Sequence, residues 1–457
     1  MNQRLLIIQQ ITHNRVSIIK ILFWVYFLLL IFEGVLRKWL IPQFSAPLLI
    51  MRDPVGLLIL LEAYRTNKWP QKWSLVLGVL ATIMIGLCSI QMIVLDNPLL
   101  ASIYGMRSYL LPFPIAFIMG ENLDANDLRK FSLCIIWILL PETILEIAQY
   151  LAPVSSALNV GAYEGANQIT YVGTKVRASG TFSFVVGPAN YGPLAAAFIL
   201  NNLLNIKVVK KWILWPATVA LIISVSIVGS RTFVYLFVAI IACAGIFVLF
   251  NATRLIHAMK LSVPVVAVFC LTSLLPIFSA SSKNLDERFK MASEAEGGDA
   301  KQAVVQRTIV PFISRIEDTD YFNNPIGIGM GRGATAISKY LFGRAEFIAG
   351  ENELDRCMTE MGPLVGITFE LFRLCLALFV LKMALICACD YGEPLALLLV
   401  PLMSCDVVFG TLEQPTVQGF MVISLAFSLA ALKQSNSVCF QNCILRRPFY
   451  RLHSYEC

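Results

Sequence analysis

Apolar runs that approach or reach the roughly 20 residues needed to cross a bilayer alternate with short polar turns along most of the chain. They predict spans near 17–36, 47–64, 73–95, 103–120, 131–152, 187–205, 212–229, 231–250, 261–279, 358–381, 395–411 and 416–432. The expected fold is all-α: a polytopic membrane protein of about twelve transmembrane helices carrying a large external helical loop. With that many crossings both termini lie on one side. No 20–50 residue repeat is visible.

Lys and Arg in the short turns set the orientation. The N-terminus (Arg4, Arg15, Lys20), the turns at 65–72, 206–211 and 254–260, and the tail (Lys433, Arg446, Arg447, Arg451) are basic and fall together, which makes that side the cytoplasm. The 37–46 turn, with Arg37 and Lys38, opposes this orientation, and the 121–130 turn carries both signs. The chain then divides into an N-terminal bundle of about nine spans (1–279), an external loop (280–357), C-terminal spans (358–432) and a basic cytoplasmic tail (433–457). It is expected to be a multi-pass protein of the cytoplasmic (inner) membrane.

Two segments, 153–186 and 280–357, are too long to be turns, and both fall outside. The longer holds 22 of the chain's 65 charged side chains, and a structureless loop of that length would be unusual unless it works. In "VVQRTIVPFISRI" the apolar residues Val304, Val305, Ile309, Phe312, Ile313 and Ile316 recur at helical spacing, and "ATAISKYLF" suits a second short helix. The expectation is an amphipathic helical lid over the outer ends of the spans.

Composition removes the soluble alternatives. Of 457 residues 57% are hydrophobic and 14% charged, with mean hydropathy +0.72, against about 25% charged in soluble domains. The start "MNQRLLIIQQITHNRVSIIK" is too polar for a cleavable signal, so the first span reads as a retained anchor. Twelve cysteines lie without paired metal spacing; Cys439 and Cys443 have no second pair or histidine, so no metal and no cofactor is expected. A net charge of +7 follows from basic turns and does not suggest nucleic acid.

The three histidines, His13, His257 and His453, all fall on the cytoplasmic side, so external acid–base chemistry has to use carboxylates. "AGENELDRCMTEMGPLVG" gathers them where the external loop enters a span. Helical spacing puts Asp355 one turn below Glu351 and pairs Asn352 with Arg356. Acids also favour a helix N-terminus for its dipole alone; a desolvated Glu351 would in addition serve as a general base.

Outer arginines are the second theme. Arg231 lies in the tight turn "VGSRTFVY", Arg177 in "KVRASGTFSF", and Arg288, Arg307 and Arg315 in the long loop. Guanidinium groups suit a diphosphate through bidentate, charge-assisted bonds. Snorkelling for Arg231, and a solvated face for the loop arginines, are the alternatives. "GIGMGRGATA" contains G-x-G-x-x-A without a βαβ context and reads as a hinge for the lid. Glu33, Arg52, Asp53, Arg107, Glu142 and Glu146 lie in or beside spans, as an internal network or a transport pathway.

"RASGTF" before one span, "GSRTFVYLFVA" opening another, and "GIGMG" followed by "GENELDRCMTEMGPLVG" occur in an order that, over about 160–430, resembles the O-antigen ligase and polysaccharide (O-unit) polymerase superfamily. The resemblance implies a GT-C-like membrane glycosyltransferase of surface polysaccharide biosynthesis. It would transfer glycan from a polyprenyl (undecaprenyl) diphosphate donor to a glycan or lipid-linked acceptor, with inversion and without metal, on the outer face. Arg231 matches the Ser-Arg turn that grips the diphosphate, and Arg177 the arginine of R-x-S-G-x-F. Glu351–Asn352 falls where the family commonly has His-Asn, a departure in which Glu replaces the base. Arg307, then Arg288, would supply the family's further arginine, with Arg315 as another loop candidate. A lipid-linked glycan flippase or other secondary transporter is the alternative, and a non-catalytic export subunit a third reading.

Overall fold

The computed structural model describes residues 2–162, 175–204, 208–251, 270, 272–274, 276–295, 310–317, 319–334, 337 and 353–445. Among these the chain is helical, with no strand. Its main helices are α1 (Asn2–Val35), α2 (Arg52–Arg65), α3 (Gln71–Val94), α4 (Leu99–Tyr109), α5 (Pro112–Asn122), α6 (Ala125–Leu151), α7 (Val186–Leu204) and α8 (Lys211–Val228). There follow α9 (Arg231–Phe250), α10 (Pro276–Ala295), α11 (Val310–Glu317), α12 (Thr319–Asn323), α13 (Glu353–Tyr391), α14 (Leu395–Ser404) and α15 (Pro415–Leu445).

Eight helical stretches among the described residues are long and apolar enough to cross a membrane: Ile18–Leu40, Pro42–Arg65, Gln71–Val94, Ala125–Leu151, Lys211–Val228, Arg231–Phe250, Glu353–Tyr391 and Pro415–Gln434. The chain is therefore an all-helical protein built to cross a membrane repeatedly. Of the remaining predicted spans, 187–205 coincides with the buried helix α7, 395–411 with the shorter apolar stretch Leu395–Phe409, and most of 261–279 lies outside the described residues. The run at 103–120 is not one helix. It breaks at Leu110–Leu111, and Pro112, which has no N–H to donate, opens α5.

Burial separates the helices into a core and a shell. Residues Pro112–Gly120 of α5 are buried without interruption, as are most of α7, α14 and the first turns of α15. By contrast α3 and α9 bury only a narrow stripe and turn the rest outward. Aromatic rings lock the centre: Trp24 stacks on Phe131 at 3.9 Å, and Phe27, Phe198 and Phe427 close around them. Such pairs add about 0.5–1.5 kcal/mol each beyond the area they bury.

Polar contacts sort to the two ends of this bundle. At one end Lys20 meets Asp124 and Asp127 at 2.7 and 2.6 Å, Asn122 Nδ2 donates to Lys68 O, and Asn251 Nδ2 to Ala388 O. At the other, Trp39 Nε1 donates to Ala157 O, Asn284 to the Tyr150 hydroxyl, Arg332 to Leu95 O, and Gln418 Nε2 to Arg107 O. Successive helices alternate between these ends. The first is the end of the basic turns; the second, here called the loop end, carries the segments singled out from sequence.

Candidate functional site

The Gly-Ser-Arg turn between α8 and α9 is made by Gly229, whose φ of 58° lies in the left-handed region that a helix-ending residue needs and glycine enters without strain. Arg231 is thereby the first residue of α9 and stands at the rim of a cavity of about 750 Å³. Leu236, Leu374, Leu378 and Leu381 are among its apolar lining, and Asn190, Glu353 and Asp406 among the polar groups that line it with Arg231. An arginine and a glutamate far apart in sequence thus share one chamber.

The segment with Arg177 is held at the same end. Ala178 packs with Tyr150, Ile223 and Ile227, the last one turn before Arg231. Its backbone is clasped from two sides: Gln149 Oε1 accepts from the N–H of Ser179 (3.1 Å) and Gly180 (2.8 Å), and Glu142 Oε1 from Thr181 (2.9 Å). Lys38 Nζ donates to Gly180 O (2.6 Å) and Ser179 Oγ (3.0 Å). Gly180 has φ +54°, and a Cβ there would fall 1.7 Å from Glu142 Oε1. Glu142 and Lys38 are accordingly loop clasps. Arg37 works likewise, bridging Glu33 and Ser183 while Glu33 also faces Arg52.

Opposite Arg231, α13 begins in a buried charge network. Arg356 bonds both Glu353 and Glu413. Glu353 Oε1 also accepts from Leu412 N–H (3.1 Å) and lies 3.7 Å from Arg373 Nη1. Arg373 is fully buried; its Nε and Nη2 donate to Val407 O and Gly410 O, carbonyls at the end of the π-helical stretch Cys405–Phe409, and its Nη1 to Glu370 Oε1 at 2.8 Å. Cations at helix C-termini are stabilising, and buried charges need such partners. The network fixes the cavity wall: Glu353 cannot shift without uncoupling α13 from the turn before α15.

The glycine-rich loop is a closed clasp, not the hinge expected from its sequence. Gly331 N–H donates to Glu360 Oε2 (2.7 Å), Gly333 N–H to Oε1 (2.8 Å), and the Tyr109 hydroxyl to Oε2 (2.9 Å). Gln91 ties the loop again, donating to Ile326 O and Glu360 O and accepting from Met330 N–H. The N–H groups that such a glycine-rich loop presents are taken by the protein's own Glu360 carboxyl group. Opposite it α13 kinks at Gly362 (φ 76°) and Pro363, and Ile328 and Gly329 donate to the carbonyls of Thr359 and Glu360 before the kink.

Of the residues chosen from sequence, Arg231 faces the cavity and Arg177 sits in the neighbouring segment. Glu351, Asn352 and Arg307 lie outside the described residues, as do the side chains of Arg288 and Arg315. Arg356 is taken by Glu353 and Glu413, two carboxylates, where the spacing offered it Asn352. Glu353, Arg373, Glu413 and Asp406 were not singled out. Glu353 was in plain view in the acidic cluster; the other three gain their role from contacts across the bundle. No protein-family model matches the chain, and no curated protein matches it either.

Proposed function

We propose that the chain is a membrane glycosyltransferase that moves an oligosaccharide from a polyprenyl diphosphate onto a hydroxyl acceptor. The observation that carries this reading is the shared chamber of Arg231 and Glu353, a cation and an acid lining one cavity with a largely apolar wall. An isoprenoid tail suits that wall, and a diphosphate suits the guanidinium.

In this reading Arg231, helped by Arg177, stabilises the charge that develops on the departing diphosphate. The acceptor oxygen attacks the anomeric carbon from the opposite face, the C–O bond to phosphate breaks with its electron pair going to the diphosphate, and the configuration inverts. The acceptor proton passes to Glu351, which precedes Glu353 by two residues in the sequence. Asn352 and one of Arg307, Arg288 and Arg315 complete substrate binding. In this reading the apolar runs give twelve spans, the resemblance makes the topology GT-C-like, and the basic turns put the loop end on the periplasmic or exterior side of an inner membrane.

Transport of a lipid-linked glycan is the second reading. Asp406 supports it: a buried carboxylate in the wall of the same cavity, 3.4 Å from Ser424 Oγ, on the π-helical stretch. Incubating purified protein with a polyprenyl-diphosphate oligosaccharide and an acceptor separates the two. A product ladder means polymerisation, a single capped product ligation, and vectorial movement of donor without transfer means transport and ends the enzymatic reading.

A further inference from the structure

A second, larger cavity of about 1020 Å³ lies between α2, α3 and the α4–α5 pair, away from the Arg231 chamber. Its polar lining is confined to its ends. Asp53, Tyr104 and Arg107 stand at the loop end, and Asn67, Trp69 and Gln71 at the end of the basic turns. Between them the wall is Leu57, Leu60, Leu77, Gly78, Ala81 and Leu110. From Asp53 to Asn67 the helix rise of 1.5 Å per residue gives about 21 Å. One leaflet of hydrocarbon is roughly 15 Å deep. An acyl chain anchored at the loop end therefore fits within the groove.

The headgroup end has its own signature. Asp53 and Arg107 form an ion pair through Arg107 Nε, and the side chain of Arg107 is nine-tenths buried. Its Nη2 reaches Gln418 Oε1 at 3.4 Å, its guanidinium lies 5.1 Å from the Tyr104 ring centre, and its Nη1 is buried without an acceptor in the protein. The groove thus presents one negative and one positive group side by side, with one donor unsatisfied. A net-negative headgroup would meet the Asp53 carboxylate unfavourably. A zwitterion complements both charges, its phosphodiester accepting from Arg107 and its ammonium donating to Asp53.

We propose that this groove is a binding site for a zwitterionic aminophospholipid, with Arg107 and Asp53 reading its phosphate and its amine. Gly78 lines the groove, and a Cβ built there meets nothing within 4 Å, so a large side chain at this position has room to project into it. The site does not depend on glycosyl transfer, and its test leaves that reading untouched.

The test exposes the purified full chain in detergent to mixed vesicles of phosphatidylethanolamine and phosphatidylglycerol, then identifies retained lipid by native mass spectrometry and by extraction. Wild type should hold phosphatidylethanolamine in preference to phosphatidylglycerol by about tenfold or more. Arg107→Gln and Asp53→Asn should abolish that preference. Because either leaves a charge without its partner and can weaken the fold, Gly78→Trp is the decisive variant: it should lose bound lipid while keeping the wild-type melting temperature. Equal retention of both lipids by wild type, retention of neither, or undiminished lipid in Gly78→Trp would each overturn the site.

Discussion

The carboxylate of Glu360 lies 2.7 Å from the N–H of Gly331, so the chain's most phosphate-like loop is filled from within. Replacing Glu360 by Ala would leave the N–H groups of Gly331 and Gly333 and the Tyr109 hydroxyl without acceptor. Each unsatisfied buried group costs about 1–3 kcal/mol. Glu360→Ala should therefore lower the melting temperature strongly, and Glu360→Gln less, because its amide keeps one acceptor. Thermal unfolding in detergent checks this; a melt unchanged in both variants would mean the clasp contributes nothing.

Gly362 is held at φ 76° with Pro325 O 2.4 Å from where a Cβ would sit. Gly362→Ala must distort either the kink of α13 or the loop pressed against it. A loss of about 1–3 kcal/mol is expected. Gly86, on the outward side of α3, has nothing within 4 Å, and its change to Ala should leave stability unchanged or raised by roughly 1 kcal/mol.

Arg373 satisfies two carbonyls and Glu370 while facing Glu353, all away from water. Arg373→Met removes one side of a buried ion network and should destabilise by about 3–5 kcal/mol. Arg373→Met with Glu370→Leu should recover part of that loss. A double mutant worse than the single one by the full cost of Glu370→Leu alone would show that the two residues are not coupled.

How far the chain could be read without its structure follows from the kind of signal involved. Helices α3, α6, α8 and α9 lie where continuous apolar runs predict them, because each carries a long apolar window with few charges, whether it faces outward, as α3 and α9 do, or is mostly buried, as α8 is. The span at 103–120 misled because its break rests on Pro112, one residue within an apolar run. The turn that puts Arg231 at the head of α9 was legible since it is local. Glu413 was not: its ion pair with Arg356 spans 57 residues and exists only once α13 and α15 pack together. The same holds for Gln149, whose amide reaches across to the backbone of Ser179 and Gly180.

At the opposite end, Asp124 caps α6 and meets Lys20. Burial opposes its ionisation, yet hydrogen bonds from Lys20 Nζ and the Asp127 N–H, with the charge of Lys20, hold its pKa down to about 2. A carboxylate lowered on folding stabilises the native state above its ordinary value near 3.8 and loses that contribution as pH falls towards about 2. The difference in melting temperature between wild type and Asp124→Asn should accordingly be constant near neutrality and shrink between pH 4 and 2. A difference independent of pH over that window would remove the charge from the explanation.

The most direct measurement compares the initial rate at which purified wild type and Arg231→Ala transfer glycan from a polyprenyl-diphosphate donor to an acceptor, at matched melting temperature. Losing one preorganised cation at the leaving group should cost about 10²–10³ in rate. Equal rates in the two proteins would mean that the chamber shared by Arg231 and Glu353 is not where the sugar leaves its diphosphate.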